Sequence, residues 1–382
     1  MNPTILTNID AHSFPEEDKK TFPNVTSPKC IGSYSISPFG SFENNNDRMR
    51  YIAIPPPKRF PLPLRNQERQ VVPIKPPQET IDNTLLFIES MRSSLLKVVD
   101  MRVVVNAAFV CPKEVLELIM FAPFENKYGW TLGATRFRGT LYLCVLEKCE
   151  PDNFDQDNLE RVMKANWIRN LRMQVLSDNG QRQPCSRDMS DENNRFNAAF
   201  TLTLNDQTII FDSPVLAEIK PNQYVSAIEW TDLKLRQDSM NRNEWAHHNR
   251  TDAIKWWIDS YLLKLDNMYI AHRDENAFVS TIKRTGAGEM CKELDPIAAF
   301  YCCNFMARLL NCISNVMVHV DNPSTVYTFE YDAKTGKVAQ RAFEGRNQYT
   351  FVADWFRIML DEHWEDLNEE RTKSENQKKN NY

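Results

Sequence analysis

The sequence lacks several features that would indicate a particular class of protein. Only 10 of its 382 residues are glycine, against a usual share of about 7%. The stretch RTGAGE at 284–289 has neither the Lys-Ser/Thr pair nor the strand-to-helix setting of a phosphate-binding loop, so it indicates a plain turn. No run approaches the roughly 18 apolar residues of a membrane-spanning helix, and we therefore expect no membrane partner.

Cysteine and histidine are present, but they form no pattern typical of a metal site. The nine cysteines are scattered through apolar segments, and no two are spaced as Cys-x-x-Cys. This distribution is typical of reduced thiols in the cytosol or nucleus. His247 and His248 are adjacent, and adjacent side chains point apart, without a further ligand at a suitable spacing. The sequence therefore predicts no bound metal and no cofactor.

A strong positive charge is also missing. The formal net charge is −5, whereas a protein that coats nucleic acid non-specifically needs a basic face. A local basic channel remains open as an alternative, and its candidate RNA contacts are Arg136, Arg138 and Arg172. Arginines at alternate or helical spacing are more often part of a solvated face.

The composition that is present predicts a globular core. Hydrophobic residues make up 42% of the chain and aromatic residues 11%, which is enough for one large domain. Residues 1–80 are rich in proline and predict an extended N-terminal arm on the domain surface, with a folded domain over 81–364. The charged tail 365–382 is predicted to be disordered. Spaced apolar residues would anchor the arm: Ile52, Ile54, Phe60 and Leu62.

Apolar periodicity predicts a mixture of helices and strands. Helical spacing occurs in TLLFIESMRSSLLKVV, PKEVLELIMFA, TDAIKWWIDSYLLKL and DPIAAFYCCNFMARLLNCISNVMVHV, whereas RGTLYLCVLE, FNAAFTLTL, QTIIFD and NMYIAHR are typical of strands. In the helix that contains KWW, we expect Trp257 in the apolar stripe and Trp256 near its edge. Antiparallel pairs between helices indicate an α+β fold.

The stretch FDSPVLAEIKP at 211–221 places a Glu-Ile-Lys triplet behind an aspartate, an arrangement that metal-dependent nucleases use. On a continuous strand, Asp212 and Glu218 would stand roughly 20 Å apart at about 3.3 Å per residue. They could share an ion only if the chain reversed at Ser213 and Pro214. We interpret the triplet, which ends at Lys220, as a chance match.

Three stretches together resemble the DXO family of decapping and pyrophosphohydrolase exonucleases: FENKYGWTLGATRFRGTLYLC, HNRTDAIKWWIDSYLL and AHRDENAFVSTIK. The resemblance covers roughly residues 80–362. It implies a fold related to the PD-(D/E)XK nucleases, with two twisted mixed β-sheets flanked by helices in a single domain. It also implies an acidic pocket that binds divalent metal and cuts the 5′ ends of RNA.

The resemblance also assigns the pocket positions, and this sequence departs from the family pattern at most of them. Lys113 stands where the family has an RNA-facing arginine, and Arg169 stands where it has a metal-binding glutamate. Pro214 and Leu216 replace the two carboxylates of a Glu-x-Asp pair. Asp232 and Lys234 occupy the ends of the Glu-Φ-Lys motif, and Asp259 replaces a glutamine. Too few carboxylates remain for a divalent site. We therefore expect no catalytic residue and no metal. With Arg169 and Lys234 near the remaining carboxylates, we expect an ion-pair cluster in place of the pocket.

Four short segments are most similar in sequence to a divergent drosophilid member of the family: DSPVLAE, HNRT, LLNCIS and GRNQYTFV. That likeness implies a nuclear protein that works with Rhino and Deadlock at piRNA source loci. The function expected is a catalytically inactive scaffold, or a subunit that shields RNA 5′ ends. Two alternatives stay open, a residual metal-dependent exonuclease or pyrophosphohydrolase and an RNA-end binder that acts alone.

Overall fold

The structure is a computed structural model, and it describes residues 4–16, 20–65, 81–149, 156–178, 194–219 and 228–365. Residues 366–382 of the predicted disordered tail and Lys220 therefore lie outside the described residues. In the described part, no single helix is long and apolar enough to cross a membrane. One pair, bent by 97°, passes that test by length and composition when Ala287–Glu293 and Ala298–Val316 are taken together.

The strands are short to medium in length and extend along the whole described chain. In chain order they are β1 (Thr4–Asp10), β2 (Lys29–Ile36), β3 (Phe42–Glu43), β4 (Tyr51–Ile52), β5 (Leu62–Pro63), β6 (Leu96–Val99), β7 (Arg102–Val105), β8 (Phe109–Pro112), β9 (Trp130–Phe137), β10 (Thr140–Lys148), β11 (Leu176–Ser177), β12 (Arg195–Leu204), β13 (Gln207–Pro214), β14 (Ala217–Glu218), β15 (Trp230–Thr231), β16 (Leu233–Gln237), β17 (Asn267–Arg273), β18 (Phe278–Gly286), β19 (Val326–Asp332) and β20 (Lys337–Phe343).

The helices lie between these strands and cover the faces of the sheets. They are α1 (Asp82–Ser90), α2 (Arg92–Leu95), α3 (Lys113–Phe121), α4 (Gln156–Val175), α5 (Arg242–Arg250), α6 (Asp252–Leu263), α7 (Ala287–Met290), α8 (Ala298–Val316) and α9, whose described part covers 354–365. The stretch predicted as one helix over 84–99 differs from the structure. Its last four residues form β6, which pairs with β7 through valines that favour a pleated strand.

The largest sheet has ten strands in the order β1-β20-β19-β9-β10-β8-β13-β12-β2-β3. β8 pairs in parallel with β10 and β13, and the other pairs are antiparallel, so the sheet is mixed. One face packs against α3 and α8 in the largest apolar core. The opposite face packs against α1 and α9 in a second core.

A second layer of strands completes the predicted α+β fold. It is divided into two four-stranded sheets, β11-β4-β14-β15 and β16-β17-β18-β5. The division falls at Asp232, which separates β15 from β16 although both belong to one stretch of the sequence. The prediction of mixed sheets flanked by helices is thus confirmed, with the smaller sheet in two parts.

The N-terminal segment is more deeply integrated than the predicted surface arm. β1 and β2 pair inside the ten-stranded sheet, while β4 and β5 pair in the smaller sheets. The predicted domain start at residue 81 is therefore too late. The predicted apolar anchors do pack, since Leu62 is buried and Ile52, Ile54 and Phe60 contact the same core. β4 and β5 contain two residues each and are too short to show periodicity. β1 and β2, with seven and eight residues, were missed because the proline content of the segment favoured an extended arm.

The two neighbouring tryptophans of α6 exchange the roles predicted for them. Trp256 is buried with an 8% exposed fraction, and its ring meets His248 of α5 edge to face at 5.0 Å. Trp257 is half-buried and stacks on Tyr261 at 5.3 Å. Because α5 covers the side of α6 that carries Trp256, the apolar stripe is wider than its periodicity indicates.

Candidate functional site

Four of the seven sequence-predicted pocket residues come together where the two sheet layers meet. Lys113 is the first residue of α3, directly after the end of β8. Lys234 lies on β16 and Asp232 immediately precedes that strand. Asp259 lies on the buried face of α6. The crossover from β8 into α3 brings the Lys113 ammonium to α6, because α3 packs on α6.

These side chains form a continuous ion cluster. The Asp259 carboxylate binds both lysines, with Lys113 Nζ 2.5 Å from Oδ1 and Lys234 Nζ 2.7 Å from Oδ2. Lys234 Nζ also lies 2.7 Å from Asp232 Oδ2. Lys113 Nζ has a further partner in Glu117 Oε2, 3.2 Å away on the next turn of α3. Two ammonium groups therefore bridge three carboxylates.

The backbone completes the hydrogen bonding of the cluster. The Leu233 N–H donates to Asp232 Oδ1 at 2.8 Å, so both oxygens of Asp232 are occupied, as are both oxygens of Asp259. The side chains of Asp259, Asp232, Lys113 and Lys234 are all between 12% and 16% exposed. A cluster that is this buried requires paired charges, because an unpaired charge at such a site costs several kcal/mol.

The electrostatics keep Asp259 and Lys234 ionised. Burial acts to raise the pKa of Asp259, but the charges and hydrogen bonds of Lys113 and Lys234 hold that pKa below its usual range. Burial acts to lower the pKa of Lys234, and the charges and hydrogen bonds of Asp232 and Asp259 outweigh it, so that pKa is raised above its usual value. The two shifts have opposite signs, as expected for an ion pair.

The remaining pocket positions contribute no carboxylate. Pro214 is the last residue of β13, and Leu216 is half-buried against the apolar core that includes Leu62. Arg169 is half-buried on α4, a helix that packs against β16, and Arg172 lies one turn further along the same helix. At the three pocket positions Arg169, Pro214 and Leu216, the chain offers a guanidinium and apolar groups where an acidic pocket would need oxygen ligands.

The aspartate and glutamate of FDSPVLAEIKP belong to different sheets. Asp212 is buried in β13, where it accepts hydrogen bonds from Tyr34 Oη, from Thr84 Oγ1 at 2.6 Å and from Asn197 Nδ2 at 3.4 Å. Burial raises the pKa of Asp212, and these three hydrogen bonds oppose the rise. Glu218 lies in β14, and burial raises its pKa too. β13 continues through Pro214 without a reversal, so the two carboxylates do not form one site.

Two of the three arginines predicted to contact RNA have local partners at the other end of the large sheet. Arg136 Nη1 donates to the carbonyl oxygens of Met317 and Val318, both at 3.2 Å, at the end of α8. Arg138 Nη1 donates to the Val103 carbonyl at 2.8 Å, and Arg138 Nη2 pairs with Asp361. Strand register places Arg136 beside the start of β8, whereas Lys113 follows its end.

The sequence prediction missed one member of the cluster and a second charged group that begins further along β16. Glu117 joins through the i,i+4 spacing from Lys113, a spacing that was visible in the sequence. Arg236, two residues after Lys234 on β16, pairs with Glu293 at 2.7 Å. Glu293 Oε2 lies 3.4 Å from His248 Nε2. The buried His248 and the exposed His247 point apart as predicted.

Comparison with known proteins identifies the family. Residues 26–357 match the family described as "RAI1 like PD-(D/E)XK nuclease". The chain belongs to this family. It is 45% identical over 371 residues to Protein cutoff of Drosophila melanogaster, with 96% of each chain covered. It is 21% identical to the decapping and exoribonuclease protein Rai1 of the same fly, with 89% of this chain and 92% of the relative covered.

Solved structures of the family share the fold. Scheffersomyces stipitis Rai1 in complex with (3′-NADP)+ and calcium ion superposes with a TM-score of 0.69 at 11% identity, and the match covers 90% of this chain and 98% of that one. The predicted resemblance is confirmed, both to the DXO-type family and to its drosophilid member. The family likeness extends on the N-terminal side of residue 80, in agreement with the strands found there.

Proposed function

We propose that this chain is a catalytically inactive member of its family that acts as a scaffold subunit in the nucleus. The main support for the proposal is that the carboxylate oxygens of the pocket are already bound by groups of the protein itself. Both oxygens of Asp259 bind ammonium groups, and the two oxygens of Asp232 bind an ammonium group and a backbone N–H. Carboxylates in an acidic nuclease pocket must instead be available to a cation and a water.

A divalent cation does not fit this arrangement of residues. Mg²⁺ needs several oxygen ligands in near-octahedral geometry, and Pro214 and Leu216 have no side-chain oxygen. An ammonium about 4 Å from a divalent ion would oppose binding by about 8 kcal/mol at an effective dielectric of 20. Among the residues that the structure describes, no group of three or more His, Cys, Asp or Glu is arranged to hold a metal ion.

The charge balance of the cluster favours a scaffold over a phosphate-binding pocket. Two lysines face three carboxylates, so the cluster does not itself attract an RNA 5′-phosphate. Shielding of an RNA end would have to use Arg169 and Arg172 on α4. RNA-end shielding is therefore the second form of the proposal, and it depends on those two arginines.

The partners follow from the likeness to the drosophilid relative. By that likeness the chain would associate with Rhino and Deadlock on the chromatin of piRNA source loci in the germline. There it would favour continued transcription and protect transcripts from termination and processing. The 45% identity to Protein cutoff supports this setting.

Incubation of the purified chain with 5′-phosphorylated and 5′-triphosphorylated RNA in Mn²⁺ or Mg²⁺ tests the loss of activity. Fly Rai1 provides the positive control. We expect no shortening of the RNA and no heat of metal binding by calorimetry. Metal-dependent shortening that disappeared in Asp232→Ala would refute the proposal and favour a residual nuclease.

Copurification from germline nuclei tests the scaffold role. We expect Rhino and Deadlock to copurify with the wild-type chain and equally with Arg169→Gln/Arg172→Gln. If RNA-end shielding is the function, the same double variant should lose affinity for a 5′-phosphorylated oligonucleotide, and the salt dependence of binding should decrease. Failure of both partners to copurify would contradict the proposed setting.

A further inference from the structure

A polar cleft lies on the face of the ten-stranded sheet that packs against α9, opposite the face covered by α3 and α8. Its volume is about 520 Å³, within the usual range of roughly 300–1,000 Å³ for ligand sites. Two carboxylates line it, Glu147 on β10 and Glu330 on β19, with Thr131 of β9 between them. The cleft belongs to none of the pocket positions described above.

Strand register explains why the two glutamates stand together. Thr131 is paired with Glu147 on one side and with Glu330 on the other. The three residues therefore form a row across the sheet, with the backbones of β10 and β19 roughly 10 Å apart. Two long acidic side chains at this separation can both reach a single group placed above Thr131.

A β-bulge directs Glu147 toward the cleft. The register of β10 against β9 shifts between Val145 and Glu147, and such an extra residue re-aims the side chains that follow it. Val145 packs into the core on the α3 side. After the bulge Lys148 points back to that side, where it pairs with Glu114 of α3. Glu147 consequently faces the opposite side of the sheet, toward α9.

A buried hydroxyl supplies an independent indication of a ligand. Thr328, which lines the cleft, is only 2% exposed, and its Oγ1 has no hydrogen-bond partner among the residues that the structure describes. A buried polar atom left without a partner is uncommon and destabilises the folded state. A bound group that hydrogen-bonds this hydroxyl would remove the cost.

The residues that line the cleft favour a cation with several hydrogen-bond donors. Neither glutamate has an ion pair with any other described residue, and Tyr349 forms an aromatic wall beside them. Its ring is held at 4.7 Å from the ring of Phe343. A guanidinium group can bind carboxylates through its fork of N–H donors and can also stack on an aromatic ring. Arg341 on β20 is paired with Thr328, and its guanidinium lies 6.0 Å from the centroid of the Phe343 ring.

We propose that this cleft, defined by Glu147, Thr131, Glu330, Thr328 and Tyr349, binds an arginine side chain from an extended segment of a partner protein. Glu147 is exposed and Glu330 is half-buried, so the cleft opens to the surface and a peptide can enter it. The two carboxylates supply the charge, the Thr328 hydroxyl accepts a hydrogen bond from the guanidinium, and Tyr349 supplies the stacking surface. The proposal does not depend on whether the pocket is inactive.

Fluorescence anisotropy with the full-length chain tests the proposal. The probe is a labelled, capped Gly-Arg-Gly-Arg-Gly peptide, and the matched neutral peptide carries citrulline in place of arginine. We expect Glu147→Gln/Glu330→Gln to weaken binding of the arginine peptide by about ten-fold or more, since hydrogen bonds to charged groups are the stronger ones. The control Glu275→Gln/Glu289→Gln changes the net charge equally at exposed positions outside the cleft, and it should bind like the wild type.

A second variant separates ligand binding from folding. Thr328→Val removes the hydroxyl without opening a large cavity, so it should weaken peptide binding several-fold while the melting temperature stays the same or rises. Spermidine serves as a competing small cation. Equal binding of the citrulline and arginine peptides, unchanged binding in the Glu147→Gln/Glu330→Gln variant, displacement by spermidine at the peptide's own concentration, or no binding by the wild type would each overturn the proposal.

Discussion

Replacement of Asp259 by alanine discriminates between a structural ion cluster and a metal-binding pocket. The Asp259 side chain is 12% exposed and binds both Lys113 and Lys234. Removal of one partner from a buried ion pair costs about 3–5 kcal/mol because the other charge is left uncompensated. Lys113 keeps Glu117 and Lys234 keeps Asp232, so we expect a loss near the lower limit, about 3 kcal/mol. Asp259→Asn should lose less, because the amide oxygen still accepts a hydrogen bond.

Urea unfolding at pH 7, monitored by tryptophan fluorescence, measures this loss of stability as a lower midpoint at an unchanged m-value. Glu275→Ala, at an exposed position, provides the control and should change stability by less than about 0.5 kcal/mol. In a metal pocket, neighbouring carboxylates repel one another without the metal, and removal of one would stabilise the protein. The reasoning would be refuted if Asp259→Ala raised the free energy of unfolding in the presence of a chelator and lowered it, relative to the wild type, in the presence of Mn²⁺.

The pKa shifts also predict how this loss depends on pH. The pKa of Asp259 is held low in the folded chain, so its contribution is present above the unfolded value of about 3.9 and is lost as the pH falls toward the folded pKa. The pKa of Lys234 is raised, so its contribution is present below about 10.4 and is lost as the pH rises through the folded pKa. The destabilisation by Asp259→Ala should therefore be nearly constant between about pH 5 and 9.

Three further predictions concern the surroundings of the cluster. Trp256→Ala should cost about 3–5 kcal/mol in urea unfolding because the ring is buried, and Trp257→Ala distinctly less; equal losses would contradict the assignment of the core. Burial acts to lower the pKa of His248, but its two carboxylate partners outweigh burial and raise the pKa. The contribution of His248 to stability should therefore be complete below about pH 6.5 and should decline as the pH rises through the folded pKa. His248→Gln should abolish this pH dependence. Tyr34→Phe should cost about 1–3 kcal/mol, because Asp212 then loses a buried hydrogen bond, and an unchanged midpoint would show that water replaces the hydroxyl.

The ion cluster could be predicted from the sequence because its chemistry is carried by residue type. The family resemblance assigned the charged residues of the cluster to one pocket, and the sequence predicted an ion-pair cluster in which Arg169 and Lys234 are the cations. In the structure the cations that bind Asp259 are Lys113 and Lys234. The detailed pairing could not be predicted. Asp259 binds both lysines because α3 and β16 approach α6 from two sides, and that geometry depends on helix packing and not on spacing.

Other features lay beyond the sequence for similar reasons. β4 and β5 contain two residues each, too few to show alternation, so their place in the smaller sheets was not visible. The helical pattern of α6 placed Trp257 in the apolar stripe, but α5 covers the side that carries Trp256. The pairing of Thr131 with Glu330 joins strands almost 200 residues apart in the chain, and register over that distance follows from the whole sheet.

The two charged sites of this chain differ in whether their polar groups are satisfied, and that difference indicates where a partner binds. In the ion cluster, each oxygen of Asp232 and Asp259 already has a donor, so a ligand would have to displace contacts that stabilise the fold. In the cleft, the hydroxyl of Thr328 has no partner among the described residues, so a ligand would add contacts without breaking any. Binding energy is largest where the free protein leaves groups preorganised but unsatisfied. If the chain acts as the proposed scaffold, its partner should bind in the cleft on the α9 side of the sheet, while the ion cluster stabilises the junction of α3, α6 and β16.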